Sequence, residues 1–298
     1  MRIHAKPLPG TGLHRWFARS FLVATWIATP AVAGESYDAC VGFIDTIPAV
    51  VSKAGTWCLR QDLSTAISSG NAITIAANNV TIDCNDFKIG NLAAGAATQA
   101  NGIHVPFATP RANATIRRCN VRGFCRGIRL SGSGHLVEDN RLDNNRCAAI
   151  STGGDNNQVR NNYIYNTGGS PQGFASAYQG GALFVGNTIS GVHASGTGMS
   201  AVGINIVPDG SPVEVRSNTI RDVQTEDPDA QRIGILVAGT DAVITDNLVL
   251  SDPGLTPGSS RGIVGDEQMN VACLRNIVSH YATPIESCTV EVDNLTLP

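Results

Sequence analysis

Apolar and polar residues alternate with a period of about 22 residues in the middle of the chain. The segment Leu136–Leu142 (LVEDNRL) is followed 22 residues later by Gln158–Ile164 (QVRNNYI). In both, an apolar residue is followed by two variable residues, an Asn, one variable residue and a second apolar residue. This period is too short for a helical-hairpin repeat and too long for a coiled-coil heptad. It predicts one coil of a parallel β-helix, in which three short strands and three turns stack on the next coil.

The same motif recurs along roughly 200 residues. Its fixed polar position is occupied by Asn85, Cys119, Asn140, Asn162, Asn187, Asn218, Asn247 and Asn276, and weakly by Asp293. A second signal, a small residue followed by Ile, falls between most copies, at Gly102-Ile103, Gly127-Ile128, Ala149-Ile150, Gly203-Ile204, Gly234-Ile235 and Gly262-Ile263. Two signals that stay in phase over this distance indicate a stack of similar coils.

The motif also predicts how the coils are held together. Alternate side chains of a strand point to one face, so the Ile and Val residues are predicted to stack into an apolar column. The fixed Asn is predicted to turn inward at a corner and to pair its amide with the Asn residues above and below, as in stacked cross-β sheets. The alternative is that Asn only accommodates a left-handed turn. Either role is structural.

These residues resemble those of secreted bacterial proteins with right-handed parallel β-helix repeats, of the pectin-lyase-like superfamily. The segment Ile73–Asn85, preceded by Ala54–Leu59, is similar to their usual entry segment. The resemblance implies an all-β, single-stranded right-handed parallel β-helix of about eight to nine coils. It implies little about activity, because this architecture hosts lyases, hydrolases, epimerases, phage tailspikes and non-catalytic surface proteins.

The chain is predicted to have three parts. Residues 1–33 have a positive start, an apolar run from Phe21 to Ala28 and a small-residue cleavage site at Ala31–Ala33, as in a secretory signal peptide. A retained anchor is the alternative, although the apolar run is too short to span a bilayer. Residues 34–78 do not repeat and are predicted to cap the first coil, and residues 79–298 are predicted to form the β-helix. We therefore expect a secreted or periplasmic protein with no membrane span after cleavage.

Removal of the predicted leader makes the chain more acidic. The full chain has 21 Lys and Arg against 24 Asp and Glu, and the leader contains four of the basic residues and no acidic ones. The remaining charge is uneven, because residues 111–160 hold nine Arg and only four acidic residues. Such a patch could hold a polyanion through bidentate contacts between guanidinium and carboxylate or sulfate groups. Arg117, Arg129 and Arg160 are the predicted polyanion-binding residues.

The same residues have a structural interpretation. Asp83, Arg117, Glu138 and Arg160 all follow the inward apolar position of the motif, so they are predicted to form an outward column of alternating charge. Opposite charges on neighbouring strands stabilise a sheet by about 0.2–1 kcal/mol per pair. The sequence leaves open whether these Arg residues bind a ligand or form ion pairs with acidic residues on neighbouring strands.

The cysteines indicate disulfides. All eight Cys residues follow the predicted leader, and an even number is typical of exported proteins. Cys125 and Cys147 each lie three residues before the Ile of the second signal, so they share a column of adjacent coils within disulfide range. Cys84 and Cys119 are one position out of column in neighbouring repeats, which still allows them to pair. The other four Cys residues would form one disulfide near each end of the chain. The predicted pairs are Cys40–Cys58, Cys84–Cys119, Cys125–Cys147 and Cys273–Cys288. Zinc binding is the alternative, but no CxxC or clustered Cys/His spacing supports it.

The repeats differ in length at one corner of the coil. From the fixed polar residue to the next Ile there are 9 or 10 residues in the coils of Cys119 and Asn140, but 16 to 18 residues in four other coils. The shorter coils, from Arg111 to Gln158, are therefore predicted to form a shallow saddle between Lys88–Asn101 and Ser190–Val202. Insertions confined to one side of a repeat protein often mark its binding face.

Catalytic motifs are absent from the sequence. The paired-acid and Gly-His-Gly motifs of hydrolases in the resembled superfamily are not present. His104 and Arg129 follow Gly-Ile on successive coils and form the first candidate pair. Asp83 with Arg117 is a weaker imitation of a lyase site, in which a base removes the proton beside a carboxylate. No metal site or cofactor is predicted, and calcium stays a weak alternative because clustered acids are lacking.

The predicted function is that of an exported β-helix protein that interacts with an acidic polysaccharide along one face, without an assigned reaction. Its predicted partner is a polysaccharide or surface glycan, and no nucleic-acid motif is present. One alternative is a polysaccharide lyase or epimerase at the saddle, which the resemblance favours. The other is a purely structural surface protein, which the missing motifs and the low charged fraction of 15% favour. The oligomeric state is not predicted.

Overall fold

The computed structural model describes residues 37–170, 175–181, 183–207, 213–252 and 259–298. The predicted signal peptide, residues 1–33, and the first three residues of the predicted cap lie outside these ranges. Within them, no helix has both the length and the apolar character that crossing a membrane would require.

The described residues form three parallel sheets, here named I, II and III in the order in which each coil visits them. Sheet I contains β1 (Cys40–Phe43), β3 (Gly55–Cys58), β6 (Val80–Asp83), β10 (Thr115–Arg117), β13 (Leu136–Glu138), β16 (Gln158–Arg160), β19 (Leu183–Val185), β22 (Val213–Arg216), β25 (Ala242–Thr245), β28 (Val271–Leu274) and β31 (Val290–Val292).

Sheet II contains β4 (Leu63–Ser64), β7 (Lys88–Gly90), β11 (Asn120–Arg122), β14 (Arg141–Asp143), β17 (Tyr163–Gly168), β20 (Thr188–Ala194), β23 (Thr219–Thr225), β26 (Leu248–Leu250), β29 (Ile277–Ser279) and β32 (Leu295–Leu297). Sheet III contains β2 (Ala49–Val51), β5 (Asn71–Ile75), β8 (Asn101–His104), β12 (Arg126–Ser133), β15 (Ala148–Gly153), β18 (Ala175–Gln179), β21 (Ala201–Ile206), β24 (Arg232–Val237), β27 (Ser260–Val264) and β30 (Thr283–Glu286). A short strand, β9 (Arg111–Ala112), pairs with the end of β12, and Leu92–Ala94 form a 3₁₀ turn.

Each sheet contributes a continuous apolar column to one core. In sheet III the column includes Ile103, Ile128 and Ile150, which are in register and fully buried. Tyr178 takes the next position, packs its ring 4.5 Å from that of Phe184 and shares a hydrogen bond of 2.7 Å with Thr152. The small-Ile signal of the sequence therefore marks the inward column of sheet III. The all-β parallel β-helix predicted from the sequence is confirmed.

The solenoid begins earlier than its sequence repeat. Of the eleven described strands of sheet I, nine lie within residues 79–298, in agreement with the predicted eight to nine coils. The other two, β1 and β3, belong to the segment predicted as a non-repeating cap, and β2, β4 and β5 of that segment also join the sheets. The fixed Asn is missing there. In the first coil of this segment, Trp57 packs against the core, and a disulfide joins Cys40 to Cys58.

A ladder of Asn side chains fills the corner between sheets I and II. The side-chain oxygen of each Asn accepts hydrogen bonds from the backbone N–H and the amide of the Asn one coil earlier, while its own amide donates to a backbone carbonyl of that earlier coil. The unbroken series is Asn140, Asn162, Asn187, Asn218, Asn247, Asn276 and Asn294. Each side chain from Asn140 to Asn276 therefore joins three coils, and these six residues are at most 3% exposed.

The ends of the ladder differ from the sequence prediction. Cys119 joins only through its backbone N–H, which donates to Asn140. Asn85 makes other contacts. Its backbone N–H donates to Asp83, its amide donates to the Leu59 carbonyl, and its oxygen accepts from Arg118. At the other end the ladder position is Asn294 and not Asp293. The left-handed conformation invoked as the alternative belongs to the residue before each ladder position, such as Asp139, Asn161 and Ser217.

Four disulfides join Cys40 to Cys58, Cys84 to Cys119, Cys125 to Cys147, and Cys273 to Cys288. These are the pairs expected from the sequence. The Cα atoms of Cys84 and Cys119, and those of Cys125 and Cys147, are 4.7 Å apart, which is the spacing of neighbouring parallel strands. The two inner disulfides therefore connect adjacent coils without requiring any departure from the stack.

The corner between sheets III and I contains a titratable link. The Nδ1 atom of His135 accepts a hydrogen bond of 3.1 Å from the Ala114 backbone N–H, and the His135 backbone N–H donates to Asn157. Burial lowers the pKa of His135, which is 1% exposed. A protonated imidazole has no lone pair at Nδ1, so protonation would break the link to Ala114.

We therefore expect the protein to lose stability as the pH falls below about 6.5, the ordinary pKa that His135 has in the unfolded chain. Below that value the unfolded chain binds a proton that the folded protein does not, so stability falls by up to about 1.4 kcal/mol per pH unit until the lowered folded pKa is reached. Urea unfolding at a series of pH values measures this. In His135→Asn, which keeps an acceptor that does not titrate, the decline should be shallower. An equal decline in both proteins would contradict the assignment.

Candidate functional site

The predicted column of alternating charge lies on the outward face of sheet I. Arg117 is in register with Asp83 on one side and Glu138 on the other, and Glu138 is in register with Arg160. Arg117 Nε lies 2.8 Å from Asp83, and Arg160 Nη2 lies 2.7 Å from Glu138. Both Arg residues that were predicted here to bind a polyanion are thus neutralised by carboxylates of their own sheet.

The carboxylate of Asp83 accepts hydrogen bonds from several groups of the protein. Its side chain is 3% exposed, and burial opposes ionisation. Hydrogen bonds from Arg118 and from the Asn85 backbone N–H, together with the charges of Arg117 and Arg118, outweigh burial and hold the pKa of Asp83 below its ordinary value. Asp83 with Arg117 therefore forms an ion pair on the face of sheet I, with the carboxylate buried beneath exposed guanidinium groups.

The other candidate pair lies on a different face. His104 of β8 and Arg129 of β12 are in register on the outward side of sheet III. The single saddle predicted from the sequence, with Arg117, Arg129 and Arg160 on one surface, is not what the structure has. The prediction failed because the outward positions of sheets I and III are separated by a corner of the coil, which linear spacing does not reveal.

Sheet III carries a cluster that we name the cationic site, composed of Asn101, His104, Arg126 and Arg129. Arg126 is in register with Asn101, and Arg129 with His104, so the four side chains occupy two adjacent strands. Among the described residues, neither Arg126 nor Arg129 forms an ion pair with a carboxylate. Burial, and next the positive charge of Arg129, lower the pKa of Arg126. The two guanidinium groups therefore repel each other without a counter-ion.

His104 is held in one tautomer. Its Nδ1 atom lies 3.2 Å from the carbonyl oxygen of Arg129, and only a protonated Nδ1 can donate to a carbonyl. Burial, followed by the charges of Arg129 and Arg126, lowers the pKa of His104, although the bond to the carbonyl opposes this shift. The neutral ring thus leaves the lone pair of Nε2 free, which is the form needed to accept a proton or a hydroxyl hydrogen bond.

Asn101 adds an unused acceptor. Its amide nitrogen donates to Asn71 over 2.9 Å, but its buried Oδ1 has no hydrogen-bond partner among the described residues. Asn101 is 8% exposed. An unpaired buried oxygen is unfavourable unless a bound group satisfies it. The cationic site therefore offers two cations, one neutral imidazole and one acceptor side by side.

Loops frame the cationic site. The segment 91–100 precedes β8 at the corner between sheets II and III, whereas the coils of β12 and β15 cross the same corner through short turns. The extra residues of the first long coil thus lie at this corner, as predicted, and Arg126 and Arg129 lie on a coil that lacks them. In the coils of β20 and β23, part of the extra length lies in longer strands of sheet II. After β8 the chain forms a loop that bears Phe107, which is 77% exposed.

Sequence reasoning missed Arg126 and Asn101. The signal that could have identified them is their shared offset, because each lies two residues before the Ile of its small-Ile pair. Among the described residues, no group of three or more His, Cys, Asp or Glu side chains is placed to hold a metal ion.

Comparisons with known proteins gave several structural matches. A Dettilon tailspike protein matches with 18% identity and a TM-score of 0.44, over 80% of this chain and 42% of that one. The enzymatically active domain of tailspike protein 2 from bacteriophage CBA120 matches with 13% identity and a TM-score of 0.41, over 87% and 38%. The A-module of a mannuronan C-5 epimerase from Azotobacter vinelandii matches with 12% identity and a TM-score of 0.41, over 87% and 75%.

The chain thus spans less than half the length of the two tailspike chains. The search of curated proteins gave no match. A family model described as a right-handed beta helix region matches residues 101–278, which include the cationic site and most of the Asn ladder. Together with the three parallel sheets, this match means that the chain belongs to the right-handed β-helix family.

Proposed function

We propose that this protein binds an anionic polysaccharide along sheet III, with the cationic site at the centre of the contact. The observation that carries the proposal is the pair Arg126 and Arg129, two partly buried guanidinium groups on one strand with no carboxylate partner among the described residues. Their mutual repulsion would be relieved by an anion. Carboxylate and sulfate groups match the fork of an Arg side chain and form two parallel hydrogen bonds with it.

The rest of the cationic site suits a sugar. The unprotonated Nε2 of His104 is an acceptor for a hydroxyl group. The Oδ1 of Asn101 is enclosed and has no hydrogen-bond partner among the described residues. Neighbouring strands carry the uncharged polar residues Thr74, Ser151 and Gln179 at the position of Arg129. A chain of sugars lying along the stack would therefore meet hydrogen-bonding groups on several coils. The ion-paired Arg117 and Arg160 of sheet I have no such role in this proposal.

We also propose that the protein is exported, and is either secreted or periplasmic. Four disulfides support this, because cytosolic proteins rarely keep them. The predicted leader at residues 1–33 would supply the export signal.

The experiment compares two double variants that lose the same charge. Arg126→Gln/Arg129→Gln removes the cationic site, whereas Arg160→Gln/Arg216→Gln removes two exposed Arg residues of sheet I that pair with Glu138 and Glu214. With polygalacturonate, the first variant should bind at least about tenfold more weakly, because hydrogen bonds to charged groups contribute roughly 1.5–3 kcal/mol each. The second should bind within about twofold of the unchanged protein, because only non-specific screening changes.

Calorimetric titration at low and moderate salt supplies the affinities, and dextran serves as the uncharged control polymer. Equal loss of affinity in the two variants would mean that net charge alone matters. Unchanged binding by Arg126→Gln/Arg129→Gln would contradict the proposal.

A second function is supported by the state of His104. A neutral imidazole beside two guanidinium groups is the arrangement that removes a proton from the carbon next to a carboxylate, with the Arg residues stabilising the developing negative charge. This is the first step of both β-elimination and epimerisation of a uronate. Incubation with alginate or polygalacturonate tests it through the ultraviolet absorbance of unsaturated products and through NMR of the sugar configuration. Activity that survives His104→Gln would exclude this role of His104.

A further inference from the structure

We propose a second saccharide site on the outward face of sheet II, which takes an uncharged sugar ring stacked on Tyr163. We name it the tyrosine site and define it by Asn120, Arg141, Asp143, Tyr163 and Tyr165. It goes beyond the proposed function, because it lies on another sheet and is selective for a ligand of different charge.

The register of sheet II assembles the tyrosine site. Arg141 is in register with Tyr163, and Asp143 with Tyr165, while Asn120 precedes Arg141 in the same column. These positions alternate with the buried Leu142 and Ile164, so their side chains point outward. The rings of Tyr163 and Tyr165 lie 5.4 Å apart at an interplanar angle of 39°, and Tyr163 is 42% exposed. Two aromatic rings on one strand are thus presented to solvent.

Arg141 fixes the two rings. Its guanidinium carbon lies 5.5 Å from the centre of the Tyr163 ring and 4.8 Å from that of Tyr165. Its Nη2 also donates to the hydroxyl of Tyr165 over 3.1 Å. Side chains that are already ordered lose less conformational entropy when a ligand binds. The ring surface is therefore preorganised.

Two surface depressions meet at this point. One, of about 420 Å³, is lined by Asn120, Arg141 and Tyr163 among others. The other, of about 430 Å³, is lined by Asn120, Arg141, Asp143 and Tyr165 among others. Both lie within the size range of small-molecule sites, about 300–1,000 Å³. Each combines an aromatic wall with amide, carboxylate and guanidinium groups.

Neither depression presents an excess of positive charge. Asp86 and Asp139 line the first beside Arg141, and two cations of the second are paired with carboxylates. Lys88 pairs with Asp62 over 2.8 Å, and Arg122 pairs with Asp143 over 2.9 Å. Arg141 already contacts two aromatic rings, whose faces are negative. An anion would therefore gain less here than at the cationic site. A pyranose offers an apolar face of C–H groups and a rim of hydroxyls, which match the exposed ring of Tyr163 and the side chain of Asn120.

The experiment titrates the full chain with neutral hexasaccharides of glucose, mannose, galactose and xylose, followed by NMR or calorimetry. At least one is expected to bind, and Tyr163→Ala should weaken it by about tenfold, whereas Tyr163→Phe, which keeps the ring, should stay within about threefold. Because Tyr163 is exposed, both variants should keep the melting temperature of the unchanged protein.

Two controls separate this site from the cationic site. Arg126→Gln/Arg129→Gln should bind the neutral hexasaccharide normally, and Tyr163→Ala should bind polygalacturonate normally. If no neutral hexasaccharide binds, or if Tyr163→Ala binds it unchanged, the inference is wrong, and the tyrosines serve only to pack Arg141. If instead Tyr163→Ala lowers only polygalacturonate binding, the two sites form one anionic surface and the inference also fails.

Discussion

Replacement of Asn187 by Ala is expected to lower the free energy of unfolding by about 3–5 kcal/mol. The Asn187 oxygen accepts hydrogen bonds of 2.9 and 3.0 Å from the backbone N–H and amide of Asn162, and its amide donates to Val159 and Asn218. Asn187 is 1% exposed, so water cannot replace these bonds in the variant. A buried N–H and a buried carbonyl would lose their partners together.

The matched control is Asn161→Gly, in the neighbouring turn. Asn161 is exposed and has a left-handed backbone, which Gly adopts without strain. The free energy of unfolding of Asn161→Gly should stay within about 0.5 kcal/mol of that of the unchanged protein. Urea unfolding followed by circular dichroism measures both variants. If Asn187→Ala were as stable as the control, the ladder would be a consequence of the coil and not one of its supports.

Replacement of Gly132 by Ala should also destabilise the protein by about 3–5 kcal/mol. Gly132 lies in β12 with φ of 129°, and an added Cβ would lie 1.8 Å from the carbonyl oxygen of Arg111 in β9. A contact this short requires the backbone itself to move, because the obstructing atom does not belong to a flexible side chain. Since β12 carries Arg126 and Arg129, binding of polygalacturonate should weaken in the same variant.

Gly153→Ala is the control for this prediction. Gly153 ends β15, in the next coil of sheet III, and no atom lies within 4 Å of its added Cβ. The free energy of unfolding of this variant should be unchanged or raised by up to about 1 kcal/mol, because Ala has less conformational freedom than Gly in the unfolded chain. Thermal unfolding measures the difference. Similar losses in the two variants would contradict the close approach of β9 and β12.

The fold could be predicted from the sequence because one physical constraint repeats. Each coil must bury an apolar residue per strand and satisfy the backbone at each corner, so Ile, Val and Asn recur in phase. The coils were harder to recognise in the sequence where another structural feature takes the place of the ladder Asn. Cys84 and Cys119 are joined covalently at the start of the repeat, and before them Trp57 packs against the core. The early strands β1 to β5 lack the Asn motif, although β5 keeps a small-Ile pair at Ala72-Ile73.

The candidate site was predictable only in part. The pairing of His104 with Arg129 follows from the small-Ile phase, because both residues come directly after the inward Ile. The face on which Arg117 lies depends on where the chain turns the corner, and the pairing of its charge depends on side-chain direction. Counting charges therefore grouped Arg117, Arg129 and Arg160, while the structure neutralises two of them. The tyrosines of sheet II were missed because the residues that lie beside them, Arg141 and Asp143, are identified only by the strand register of that sheet.

The central claim is that sheet III, through Arg126 and Arg129, is the surface that contacts an anionic polysaccharide. The most direct measurement is modification of arginine side chains by phenylglyoxal, mapped by mass spectrometry with and without polygalacturonate. We expect the polymer to slow modification of Arg126 and Arg129 and to leave modification of Arg160 and Arg216 unaffected. Protection of Arg160 and Arg216, with Arg126 and Arg129 reacting at their original rates, would contradict it.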